Sequence, residues 1–225
     1  MITKNSFKKF LKRSSFIVKV IRLLRYILLF LRLKFNQFGS KRKWKYLLQN
    51  DEIKLNLGSG QQKGRDGWIN VDQNKSDINW DLRRGIPLPD SSVDIIYSSH
   101  LLEHIPFKEL KLFLNECRRV LKENGEMKVA VPNAGLYIDA YNKNFNFRPK
   151  ESMKDHFHNI DTGSRLDQIN LIAYMGDEHK YMFDEENLIN TLTSSGFSKA
   201  CPREFDISID SKDRDFESVY AVAYK

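Results

Sequence analysis

Residues 54–72 read KLNLGSGQQKGRDGWINVD. Two short apolar runs, IKLNL (53–57) and WINV (68–71), flank a glycine turn, Gly58-Ser59-Gly60, and the second run ends on Asp72. Glycine lacks a Cβ and adopts positive φ without strain, so a strand ending in glycines lets backbone approach a ligand. In an open parallel sheet, ligands bind outside the carboxyl ends of the strands. An acidic side chain that ends the next strand can accept hydrogen bonds from both hydroxyls of a ribose, and Asp72 stands there. Asp81-Leu82 follows where a third strand should end. A lone GSG fits any tight turn. The ordered set of strand–GSG, strand–Asp72 and Asp81-Leu82 is more specific.

Outward from this stretch, short apolar runs alternate with helical periodicity. A weak third strand is expected near 78–81 and a fourth over 93–98 (VDIIYS), bounded by the PLPDSS turn. The spacing of Leu110, Phe113, Leu114, Cys117 and Leu121 predicts a helix over 107–122, with Pro106 at its start and Gly125 just past its end. MKVAV (127–131) reads as a fifth strand closed by Pro132. A second helix is expected over 185–195, with Asp184 as N-cap and Gly196 as C-terminal cap. Two further strands are expected around 204–209 and 219–224. Alternation of this kind implies an α/β fold with a largely parallel sheet. Residues 133–183 fit the rhythm poorly and hold His156, His158, His179 and many aromatics. They read as a lid or substrate insertion, or as a cap with its own small core.

The chain has 225 residues, enough for one domain with an appendage. Its formal charge of +8 is unevenly spread: residues 1–50 carry 14 Lys/Arg and no Asp or Glu, leaving the remainder net negative. Two cysteines, Cys117 and Cys201, imply no disulfide framework. In the leader (1–45), FIVKVIRLLRYILLFLRLKF (16–35) is apolar but interrupted by Lys19, Arg22, Arg25, Arg32 and Lys34. That argues against a membrane-spanning helix or a secretory signal. Phe7, Phe10, Ile17, Ile21, Leu24, Leu28 and Leu31 share one helical face, with Lys8, Lys12, Lys19 and Arg22 roughly opposite. A basic amphipathic N-terminal helix over 7–35 suits an anionic membrane surface. Packing on the same chain or a second subunit, and an organelle transit peptide, are the alternatives. Nucleic acid is not expected, because phosphate binding leaves the aliphatic stripe unexplained. Gly39, Ser40 and KRKWK (41–45) read as a hinge before the globule (46–225).

KLNLGSG (54–60), GWINVD (67–72), DLRRGIPLPDSSVDIIYSSHLLEHI (81–105), ECRRVLKENGEMKVAVPN (116–133) and HKYMFDEENLINTLTSSGF (179–197) together resemble the class I S-adenosylmethionine-dependent methyltransferases. In particular they resemble a bacterial group associated with cell-envelope polysaccharide genes. The resemblance implies a doubly wound, mostly parallel seven-stranded sheet whose last two strands form a hairpin. It implies S-adenosyl-L-methionine as cofactor, with Gly58, Ser59 and Gly60 against its methionine and ribose. Asp72 would then hold the ribose hydroxyls, and Asp81 with Leu82 the adenine edge. Ser98 and Ser99 would face the methionine end. Asn56 stands where the superfamily usually has an acidic residue.

The acceptor implied is a hydroxyl of an envelope sugar or glycan, or another small molecule, handled in the cytoplasm on the inner face of the membrane. His100 and His179 are the leading candidates for a general base, followed by Glu103, His104 and His156. His100-Leu101-Leu102-Glu103-His104 also matches HxxEH, a zinc-peptidase helix motif. Its place directly after a strand favours the methyltransferase reading over a zinc-dependent hydrolase, and no metal ligands are assigned. Asp155-His156-Phe157-His158 is a second, weaker metal candidate. A non-catalytic binding module on the same fold is the remaining alternative.

Overall fold

The computed structural model describes residues 39–60, 67–148 and 162–225. The leader helix over 7–35, Gln61 and Gln62, and the Asp155-His156-Phe157-His158 run lie outside the described residues. Seven strands form one sheet in the order β3-β2-β1-β4-β5-β7-β6. They are β1 (Lys54–Leu57), β2 (Trp68–Asp72), β3 (Ile78–Asn79), β4 (Val93–Ser99), β5 (Leu121–Pro132), β6 (Lys199–Pro202) and β7 (Ser218–Tyr224). β1 to β5 pair in parallel, and β7 runs antiparallel to β5 and β6. The flanking helices are α1 (Phe107–Val120), α2 (Ala134–Asn142), α3 (Leu166–Tyr174), α4 (Glu185–Ser194) and α5 (Lys212–Asp215). This is the expected doubly wound, mostly parallel α/β architecture.

The register positions the site. Leu57 lies beside Val71 on one side and Ser98 on the other, so β1, β2 and β4 end together. Leu55, Leu57, Val71 and Ile96 are fully buried, which anchors those ends in the core. α1 covers the sheet with Leu110, Phe113, Leu114 and Cys117 of the periodic stripe visible in the sequence, joined by Val120 in place of Leu121. Arg118 and Arg119 occupy its last turn, where cations complement the helix dipole. The helix ends earlier than expected, because Leu121 turns to extended geometry (ψ 141°) and begins β5. Gly125 therefore lies inside a strand rather than capping a helix. A Cβ there would meet the Lys122 and Asp94 carbonyl oxygens at 2.9 and 3.0 Å, so only glycine allows the backbones to approach this closely.

α4 starts as expected: the Asp184 carboxylate accepts from the Asn187 N–H at 2.8 Å. Residues 133–183 contain α2 and α3, which share a small core of Ala134, Tyr137 and Ile172. Residues 39–47 are helical. Trp44 is buried in the core, edge-on to Trp80 at 6.3 Å between centroids, so the packed domain begins before residue 46. No helix among the described residues is long and apolar enough to cross a membrane.

The strand expected over 204–209 is corrected by the structure. β6 lies earlier, at Lys199–Pro202, and 204–209 is a loop. The apolar alternation in FDISID is overridden by one buried carboxylate. Asp210 accepts from both Arg203 Nη atoms at 2.6 and 2.7 Å, from the Asp206 N–H at 2.8 Å and from the Tyr97 hydroxyl at 3.0 Å. Removing one partner of a buried ion pair leaves the other charge uncompensated, at about 3–5 kcal/mol. Asp210→Ala should lower unfolding stability by that amount in urea titrations, whereas Asp213→Ala, on the short exposed helix α5, should change it by less than about 0.5 kcal/mol.

Candidate functional site

The turn after β1 is built on positive φ: +73° at Gly58 and +61° at Gly60. Gly58 donates its N–H to the Val71 carbonyl at 2.9 Å. A Cβ on Gly58 would meet the Leu101 side chain at 2.8 Å, so a larger residue is excluded by space as well as by φ. The Asp72 carboxylate reaches back across the strand ends and accepts from the Gly60 N–H at 2.9 Å. It also accepts from its neighbour's N–H, that of Gln73, at 2.6 Å. Asp72 thus faces the glycine turn.

A cavity of about 530 Å³ opens at this place, within the usual range for small-molecule sites. Four residues expected at a cofactor site, Gly58, Asp72, Asp81 and Leu82, line it. Its apolar wall comes from Trp80, Leu101, Ile105, Leu112 and Phe113, which sequence reasoning did not assign. As sequence, these residues are indistinguishable from ordinary core. His104 and Lys180 also line the cavity.

The other expected cofactor residues lie outside this lining. Asn56 donates its side-chain amide to Asn70 Oδ1 at 2.9 Å, and Asn70 in turn donates to Asp77. Asn56 therefore ties β1 to β2 rather than facing the cavity. Gly60 touches the site through its bond to Asp72. Ser59 and Ser98 are buried, and neither hydroxyl has a hydrogen-bond partner among the described residues. Ser99 closes β4 and is half-buried. Asp81 is already engaged: Arg83 Nε and Nη2 each donate to its carboxylate at 2.9 Å. That guanidinium holds the Asp81 carboxyl below its usual range.

The proton-handling candidates separate by depth. His100 takes a left-handed backbone (φ +51°) and its Nε2 lies 2.9 Å from the Ser218 hydroxyl. Burial depresses its pKa to about 3, so it is neutral at physiological pH. Glu103 is 2% exposed, neither carboxyl oxygen has a hydrogen-bond partner among the described residues, and burial pushes its pKa up to about 8. His179 is buried and its pKa is lowered by burial. Of the four, His104 alone lines the cavity. The HxxEH helix reading is overturned: His100 follows a strand, and Leu102–His104 is a short 3-10 turn, so the two histidines share no α-helical face.

Residues 58–129 match the family model described as a methyltransferase domain. A probable S-adenosylmethionine-dependent methyltransferase of Mycolicibacterium smegmatis is 39% identical over 57 residues, 24% of this chain and 21% of that protein. One from Mycobacterium tuberculosis is 40% identical over 48 residues, 21% of this chain and 17% of that protein. The chain thus spans about a fifth of the length of these curated relatives. Among solved structures, a SAM-dependent methyltransferase from Archaeoglobus fulgidus aligns at TM-score 0.46 and 17% identity, over 84% of this chain and 94% of that one. A Burkholderia thailandensis N-methyltransferase with bound S-adenosylhomocysteine aligns at TM-score 0.48 and 12% identity, over 83% and 76%.

Glu103 carries a pH signature. Its folded pKa is raised, so between about 4.5 and 8 the folded state holds a proton that the unfolded state has lost. Stability contributed by this group falls as pH rises through that window, by up to about 1.4 kcal/mol per pH unit. His100 has the opposite sign and acts only below about 6.5. Between pH 6.5 and 8, in EDTA-containing buffer, Glu103→Gln should flatten the decline in unfolding free energy seen in the wild type. The strand order and the antiparallel seventh strand give the globule a Rossmann-like, mostly parallel seven-stranded fold, and residues 58–129, about a third of the chain, are similar to the methyltransferase-domain family.

Proposed function

We propose that this chain is an S-adenosylmethionine-dependent methyltransferase. The observation that carries the reading is the Asp72 carboxylate bonded to the Gly60 N–H at the mouth of the cavity. The residues present suit the cofactor. Gly58 packs its bare backbone against Leu101 at the cavity, where a Cβ would clash, and the Ser59 and Ser98 hydroxyls are buried at the same strand edge without partners among the described residues. Asp72 would hold the ribose hydroxyls. Leu82 and the apolar wall would hold the adenine, with Asp81 at its edge once Arg83 yields.

When bound, the cofactor supplies an electrophilic methyl group for in-line displacement. The chain's own contribution is alignment, which is worth several kcal/mol of barrier when two reactants are held in line. Leu101, Ile105 and Phe113 exclude water from one wall, and the fixed turn at Gly58–Gly60 sets where the reacting end can lie.

The acceptor we propose is a hydroxyl of an envelope sugar or glycan. The support is the resemblance of the sequence blocks, together with a basic, fatty leader suited to a membrane face where lipid-linked glycans are assembled. The leader over 7–35 would hold the enzyme on the inner, anionic surface.

Equilibrium dialysis with S-adenosylmethionine tests the cofactor. The full chain should bind it, and Asp72→Ala should weaken binding at least about tenfold, since loss of hydrogen bonds from a charged partner costs about 1.5–3 kcal/mol. Unchanged binding in the variant would remove the reading's main support. A labelled-methyl assay on envelope extracts then separates an enzyme from a binding module. Deleting residues 1–40 should release the protein from liposomes containing anionic lipid, measured by co-sedimentation; equal sedimentation with and without the leader would contradict the membrane role.

A further inference from the structure

The end of β4 carries a side-chain cluster that the nucleoside reading does not use. Glu103, His104 and His179 each bring one ligand atom within 4.8 Å of the others. His104 Nε2 lies 3.8 Å from Glu103 Oε1, and the His104 and His179 rings meet edge to face with centroids 4.9 Å apart. The contact is set by the backbone: the Lys180 N–H donates to the Glu103 carbonyl at 2.7 Å, which brings residues 179–180 against the 3-10 turn.

Both histidines are oriented from behind. His179 Nδ1 lies 2.7 Å from the Ile172 carbonyl, and His104 Nδ1 lies 3.2 Å from the Glu178 carbonyl. A carbonyl only accepts, so each Nδ1 carries the proton and each Nε2 presents its lone pair. A backbone carbonyl that fixes the tautomer in this way is the usual support of a metal-ligating histidine. Glu103 adds the second observation. It is 2% exposed, and neither carboxyl oxygen finds a hydrogen-bond donor among the described residues. Buried polar atoms are ordinarily satisfied, and a cation between the carboxylate and the two imidazoles would satisfy this one.

We propose that Glu103, His104 and His179 form a binding site for a single zinc-like divalent transition-metal ion at the wall of the cavity. Two imidazole nitrogens and one carboxylate oxygen suit this class, whereas magnesium and calcium prefer all-oxygen shells. Three protein ligands leave a fourth position open, and because His104 lines the cavity, that position opens toward it. Bonds of about 2.0–2.2 Å place tetrahedral ligands roughly 3.4 Å apart, so closing the shell needs side-chain movements of about 1 Å. His179 takes the place of His100 in the set suggested by HxxEH: His100 Nε2 is engaged by Ser218 and its Nδ1 stays near Glu103, but among the described residues only Glu103, His104 and His179 bring ligand atoms together. The metal site stands independently of the methyltransferase reading. If both hold, the open position would take an oxygen of the acceptor.

The test uses the full chain, stripped with a chelator and titrated with Zn²⁺ and, separately, Co²⁺. Metal per chain after gel filtration and the visible d–d absorption of Co²⁺ are the readouts. The wild type should retain one equivalent and give a low-symmetry Co²⁺ spectrum with nitrogen and oxygen ligands. His104→Ala, at the cavity edge where folding is least at risk, should weaken binding at least about tenfold and change the spectrum. Glu103→Gln should do the same, and Asp72→Ala should retain the metal, which separates this site from the nucleoside pocket. Failure of the wild type to retain stoichiometric metal, or binding by His104→Ala equal to that of the wild type, would overturn the proposal.

Discussion

The hydrogen bond from the Gly60 N–H to the Asp72 carboxylate is the interaction on which the site depends. It joins the turn after one strand to the last residue of the next. It forms only because β1 and β2 pair in a parallel register that brings Leu57 beside Val71. The same register sets Ser98 on the other flank, so three strands end at one edge and the chain turns there three times. The positive φ at Gly58 and the Leu101 side chain packed against it leave little freedom in the turn. A ligand meeting this edge finds backbone, a carboxylate and an apolar wall already in place.

The end of β4 shows what burial does to ionisable groups when no donor is at hand. His100 and Glu103 lie 3.8 Å apart, close enough for an ion pair in water, yet burial pushes each toward its neutral form. In a low-dielectric setting, desolvation of two charges outweighs an attraction that lacks direct hydrogen bonds. By contrast, the pKa of the Arg148 guanidinium is raised despite the opposing pull of burial, because it hydrogen-bonds both the Glu217 carboxylate and the Tyr137 hydroxyl, which itself donates to Glu217 at 2.7 Å. Direct hydrogen bonding, rather than distance alone, separates the two cases.

The glycine turn, Asp72 and the periodic face of α1 were legible in the sequence, because each signal is local: a turn residue, a strand end, a 3.6-residue period. Residues 204–209 were not, because FDISID has the alternation of a strand while Asp210, a single buried carboxylate, folds it into a loop. The cavity wall of Leu101, Ile105 and Phe113 was hidden for another reason: apolar side chains look alike whether they face core or ligand. The meeting of His104 with His179 was equally hidden. It depends on backbone bonds from Lys180 and Tyr181 to Glu103, between segments far apart in the chain. Asp81 was expected near the site from its position and lines the cavity, but its engagement with Arg83 is a matter of side-chain geometry.

The central claim is a nucleoside site gripped by Asp72, and a crystal structure of the full chain with S-adenosylhomocysteine tests it most directly. The account predicts both ribose hydroxyls on the Asp72 carboxylate, with the adenine against Leu82 and the apolar wall. A nucleoside bound elsewhere on the protein, or bound in this cavity with Asp72 turned away from the ribose, would contradict it.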